Sequence, residues 1–143
     1  MSAGIVAAAV IWGVVSGFLI VRILDRLAGI GFCLHALLMA RWSRLARKPA
    51  MNQVDPGILL RLMVKIALLS ALFGFLLYQG YGFTRREFRF DYGGWEGVLY
   101  AAVACATALS RLPATRRRLV HFWRMSHEFD YAHRRKRTLL LKS

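Results

Sequence analysis

Arg22-Ile-Leu-Asp-Arg-Leu-Ala-Gly-Ile-Gly-Phe-Cys-Leu-His-Ala-Leu-Leu-Met-Ala-Arg41 sets fourteen uncharged residues, Leu27 to Ala40, between charged ends. A helix that crosses a bilayer needs about 20 apolar residues, so fourteen are short for a span. On a helical wheel at about 100° per residue, Arg22, Asp25, Arg26, Arg44 and Arg47 fall on one face. The small residues Gly29, Cys33 and Ala40 lie between them, and Leu24, Leu27, Leu34, Leu38, Trp42 and Leu45 gather opposite. This pattern predicts an amphipathic interfacial helix over about 22–48, with leucines toward lipid and arginines among headgroup phosphates. It either continues the helix before it or packs along a neighbour. A short tilted span entered by a tight turn at 22–26 is the competing reading.

The flanking sequence says how many spans accompany it. Ala3 to Val21 is uncharged for nineteen residues, about 28 Å of helix and enough for the hydrocarbon core. No basic residue precedes it, so it lacks a signal peptide's charged start and reads as a retained span. A second span is predicted over about 62–83, entered past Arg61 and Lys65, and a third over about 95–111, with Glu96 near one end. Asp55-Pro56 has the form of a helix start, a capping carboxylate followed by proline in the first turn. The expected fold is therefore an all-α membrane protein: three transmembrane helices, the amphipathic helix, a loop at 49–61, and a basic, partly helical tail. Residues 1–112 form the membrane domain and 113–143 the tail.

Composition agrees with this division. The 143 residues are 57% hydrophobic yet carry a formal net charge of +14, from 21 Lys and Arg against 7 Asp and Glu. A soluble domain rarely combines the two, whereas a membrane protein puts its apolar residues against lipid and its charge in loops. With three spans, residues 22–65 carry eight basic side chains and 111–143 carry ten; the 84–94 loop carries Arg85, Arg86 and Arg89. The positive-inside rule places the two rich stretches in the cytoplasm, hence an outside N-terminus and an inside C-terminus. A bacterial inner membrane is the expected location and a mitochondrial inner membrane the other choice.

Small residues recur at four-residue spacing on each span: Ala9, Gly13 and Gly17; Ser70 and Gly74; Gly97, Ala101 and Cys105, with Ala104 and Ala108 alongside. Such stripes let helix backbones approach closely, which makes these positions the expected helix-packing sites. The expected lipid- or partner-binding residues are Arg22, Arg26, Arg41, Arg44, Arg47, Arg116, Arg117, Arg118, Arg134, Arg135 and Arg137. Seventeen of the 21 basic residues are arginine, whose fork suits phosphate and carboxylate. The aromatics of the tail, from Phe122 and Trp123 to Tyr131, interleave with them, as in a membrane-surface helix or a contact for an acidic partner. Nucleic acid uses the same residue types, but no nucleic-acid fold fits thirty residues. The expected partners are other membrane subunits and anionic lipids.

Catalytic chemistry is not expected. No acid sits mid-span, and the sequence has no phosphate loop, nucleophile elbow or metal-ligand spacing. His121, His127 and His133 advance about 240° per step and cannot share one helix face. His35 is expected to pack and hydrogen-bond to a neighbour, since haem would need a second facing ligand. Cys33 and Cys105 read as two small buried thiols, and no cofactor or metal site is expected. Phe88-Arg89-Phe90-Asp91-Tyr92 alternates with period two, as a short extended piece or part of the interfacial aromatic belt would. The favoured function is a non-enzymatic subunit or assembly component of a larger membrane complex of secretion, conjugation or energy-transducing type. A self-assembling pore of holin-like architecture ranks second, and a small transporter or membrane enzyme third.

Overall fold

The computed structural model describes residues 3–46 and 54–141, with backbone alone at 139–141; Arg47 and the loop start at Lys48-Pro49 lie outside the described residues. Five helices carry the chain: α1 (Ala3–Leu45), α2 (Pro56–Glu87), α3 (Trp95–Ser110), α4 (Leu112–His127) and α5 (Phe129–Leu141). No strand occurs among the described residues. Two of the helices, α1 and α2, are long and apolar enough to cross a membrane, and α3 with α4 makes a third if the pair is one broken span.

Local chemistry sets the boundaries. The Gly57 N–H donates to Asp55 Oδ1 at 2.9 Å, so Asp55 caps α2 and Pro56 occupies its first turn. α3 stops at Arg111, whose N–H still donates to the Ala108 carbonyl at 3.1 Å. Pro113 lacks an N–H to extend that ladder and restricts Leu112 before it, so a new helix starts there. α1 has no break at 22–26: the predicted amphipathic segment continues the first helix.

The chain divides into two compact units: Met1–Leu24 with Leu69–Thr115, and Asp25–Leu68 with Arg116–Ser143. Five of the 21 Lys and Arg fall in the first unit and sixteen in the second.

In the first unit α1 and α3 run parallel with their backbones close together. A Cβ on Gly13 would stand 2.9 Å from Val103 Cβ and 3.1 Å from the Tyr100 carbonyl oxygen; one on Gly17 would stand 2.5 Å from that of Ala104. The advance from 13 to 17 on α1 matches the advance from Tyr100 to Ala104 on α3. Between them in sequence, α2 runs the other way, with Gly80 against the Trp12 ring. Large apolar side chains point outward instead, among them Ile11, Leu72, Phe75, Val98 and Leu109. Small inside and large outside is how helices pack in lipid, where burial of leucine against leucine gains nothing over leucine against acyl chains.

The connection from α2 to α3, 88–94, is not a strand. Phe90 is buried and Tyr92 half-buried. Tyr92 Oη lies 2.6 Å from Thr84 Oγ1, and its ring packs on those of Tyr81 and Tyr100 at 4.7 and 5.4 Å. Arg89 takes a left-handed φ of 50°, which reverses the chain so that Phe90 turns inward. Period two therefore marks alternation across a folded-back loop.

The second unit has a more familiar core. Cys33, Ala36, Val54, Leu59 and Ala132 are buried, with Leu37, Ile58, Leu62, Met63 and Met125 packed against them. Asp25, Gly29, Cys33, Ala36 and Ala40 are buried, whereas Leu24, Leu27, Leu34, Leu38, Trp42 and Leu45 are exposed. The small-residue face packs against neighbouring helices; a Cβ on Gly29 would meet the Phe122 ring at 3.1 Å and Ile66 Cδ1 at 3.3 Å.

Candidate functional site

The helix-packing residues separate into three groups. Ala9, Gly13 and Gly17 lie buried on the side of α1 that meets α3. Gly97 is buried too, but against the Tyr92 backbone of the preceding loop. Ala101 and Cys105 lie on the exposed side of α3, and the side that meets α1 presents Tyr100, Val103, Ala104 and Thr107. On α2, Ser70 is half-buried, and a Cβ on Gly74 would meet nothing within 4 Å.

The arginines divide as clearly. Arg41, Arg44, Arg116, Arg117, Arg134, Arg135 and Arg137 are exposed, while Arg22, Arg26 and Arg118 are half-buried. Arg134 and Arg135 border an open depression with Arg124, Tyr131 and Thr138, and the Arg124 guanidinium lies 5.9 Å from the Tyr131 ring centroid. The lining is basic, with one aromatic ring among the arginines.

The second unit holds two polar contacts that join residues more than 90 positions apart. Arg118 Nη1 donates to Asp25 Oδ2 at 2.6 Å, with the Asp25 side chain only 2% exposed. A carboxylate withdrawn from water that far needs its cation, so α4 is pinned to α1 at this point. Asp25 Oδ1 is buried without a hydrogen bond.

The other contact is an aromatic stack. His127 lies flat on Trp123, ring centroids 3.7 Å apart and planes 15° apart, one helical turn away on α4. His35 Nδ1 of α1 meets His127 Nε2 at 2.9 Å. His127 Nδ1 is 2.8 Å from Ser126 Oγ and 3.2 Å from the Trp123 carbonyl oxygen. With Nδ1–H donated to that carbonyl, Nε2 of His127 is left as the acceptor facing His35 Nδ1. Burial holds His127 below the usual imidazole range, with the neighbouring His35 adding to the effect and the Trp123 carbonyl opposing it. His121, 2.8 Å from Tyr131 Oη, is lowered by burial and by Arg135.

His35 thus has a facing imidazole, but not one spaced for haem. Two iron–nitrogen bonds of about 2 Å would hold the nitrogens about 4 Å apart, and here they share a proton instead. No group of three or more His, Cys, Asp or Glu placed to hold a metal occurs among the described residues. Cys33 is buried, whereas Cys105 is exposed, unlike the pair of buried thiols expected.

Neither long-range contact was visible in the sequence. The local signals were His35, expected to hydrogen-bond to a neighbour, and Asp25, an acid on the small-residue side of the wheel. The chain matches no protein-family model, no curated protein and no solved structure.

Proposed function

We propose that this protein is a non-enzymatic integral-membrane subunit, or an assembly component, of a larger membrane complex. One observation carries the reading. Only 11% of the most apolar stretch of α2 is buried within the chain, against 39% for α1. A membrane helix so little covered by its own chain offers most of its surface to lipid or to other subunits, and Gly74 leaves a gap on it that a second backbone fits. The basic surfaces of the second unit add a way to hold acidic partners and anionic headgroups.

On this reading α1, α2 and α3 are three spans, and 22–45 extends the first. Forty-three helical residues have a contour of about 64 Å, twice the hydrocarbon thickness, so the basic half of α1 lies at or beyond the interface. The basic stretches then share the cytoplasmic side of a bacterial inner membrane, with the N-terminus outside.

The test is gentle extraction from the native membrane, native-size separation and identification of co-migrating chains. A large particle with distinct partners is the expected result. A stable lone monomer overturns the proposal. A ring of this chain alone favours the holin-like pore, which uses the same uncovered face of α2, and membrane conductance then decides.

A further inference from the structure

The outer face of α1 in the second unit follows a period of seven. Alternating steps of four and three residues lead through Leu27, Gly31, Leu34, Leu38, Arg41 and Leu45. That is the spacing of a coiled-coil seam, on which an apolar period of 3.5 keeps a partner helix in place. The four leucines are 47 to 75% exposed, and a Cβ on Gly31 would meet nothing within 4 Å. At about 100° per residue they fall within about 40° of arc, with Arg41 at one edge and His35 at the other. A helix lying on a broad apolar support shows an arc of about 100° or more, and the narrower stripe is that of a helix–helix seam. Trp42 and Met39 widen it only toward its C-terminal end.

Area and charge say what kind of helix fits. The four leucines and Trp42 together expose about 600 Å², which is what a stable interface of about 1,200 Å² takes from one partner. Arg41 stands in the seam and Arg44 beside it; both are exposed, and neither meets an acid among the described residues. A second copy in the same membrane orientation would pair in register and set Arg41 against Arg41. The unit already holds sixteen of the 21 cations, so self-pairing adds repulsion, whereas an acidic helix removes it.

We propose that the 27–45 face of α1 docks an acidic amphipathic helix of another subunit, with apolar residues at heptad spacing and carboxylates opposite Arg41 and Arg44. The assignment rests on this chain being one subunit of a larger complex. On that reading 22–45 stands at or beyond the interface, where leucine left in water is unfavourable and a covering helix removes it from water.

The experiment uses the full chain in its native membrane, with a photo-crosslinking amino acid replacing Leu34, Leu38 or, on the open face of α2, Leu72. Light should link the Leu34 and Leu38 sites to one other polypeptide. Mapping of that adduct should reach a segment with apolar residues three and four apart and acids beside them. Arg41→Glu/Arg44→Glu places like charges together and should lower the adduct about tenfold or more. Both side chains are exposed, so the variant's thermal unfolding in detergent should match that of the unaltered protein. Adducts with lipid, or with a second copy of this chain, overturn the proposal. So does a partner segment without acids whose yield ignores the charge reversal. If Leu72 gives distinct partners and Leu34 gives none, the docking face falls and the complex stands. If no position gives a partner, the subunit reading falls with it.

Discussion

The two compact units of this chain are both helical, yet different forces hold them. The first is fastened by absence of side chain: Gly13 and Gly17 bring α1 against α3, and hydroxyls such as Ser16 and Thr107 bond to carbonyls of their own helices. The second is fastened by presence: a buried ion pair, a histidine–tryptophan stack and a core of medium-sized apolar residues. In lipid, helices gain little from burying leucine and must gain from close approach. A unit that holds sixteen of the 21 cations must instead place polar groups in pairs. Composition, more than secondary structure, decides which kind of packing a helix uses.

The largest test of that contrast is Asp25. Asp25→Ala strands Arg118 beside Arg26 and should cost about 3–5 kcal/mol, whereas Asp25→Leu with Arg118→Met should recover most of the loss. Thermal unfolding in detergent reads both, and equal loss in single and double variants would break the ion-pair account. Next comes Gly17→Leu, which forces α1 from α3 and should cost about 1–3 kcal/mol or more by the same assay, with no rescue from the second unit.

Acid should act on the second unit alone. Burial favours neutral His127 in the fold, so its folded pKa lies below the ordinary 6.5. The stability it contributes is complete above about pH 6.5 and is lost as pH falls through the folded value. The unfolding temperature should be level from pH 8 to 7 and fall below 6.5. His127→Phe keeps the ring stack and should flatten part of that fall, His121 supplying the rest. A pH-independent unfolding temperature would sink this account.

The smallest effect is expected at Gly74→Leu, which meets nothing within the chain and should change stability by under about 0.5 kcal/mol. Its readout is native size. If the extracted particle shrinks while the monomer stays as stable, the open face of α2 is where another helix sits.

Much of the fold was legible because bilayer chemistry writes in runs. The uncharged stretch 3–21, the Asp55-Pro56 start and the end of the third apolar run near Arg111 need only neighbours in sequence. At 22–45 the exposed leucines and the buried small residues follow the wheel, whereas Arg44, placed with the small residues, is exposed. What lay beyond reading was the pairing of distant turns. Asp25 with Arg118 and His35 with His127 depend on how α1 and α4 meet, which no local period encodes. The six-residue spacing of the histidines correctly kept them off one face but concealed that His127 faces α1. At 88–94 the period was real but marks no strand, because a left-handed Arg89 folds alternate residues into the unit.

Cys33 sits in the core of the second unit with none of its surface exposed. It is consequently a built-in clock. A polar thiol reagent reaches it only when that unit opens, so once the exposed Cys105 is replaced by serine the rate of modification measures how often it does. Run with and without partner subunits or anionic lipid, the same trace reports whether binding at the arginine-rich surface slows the opening.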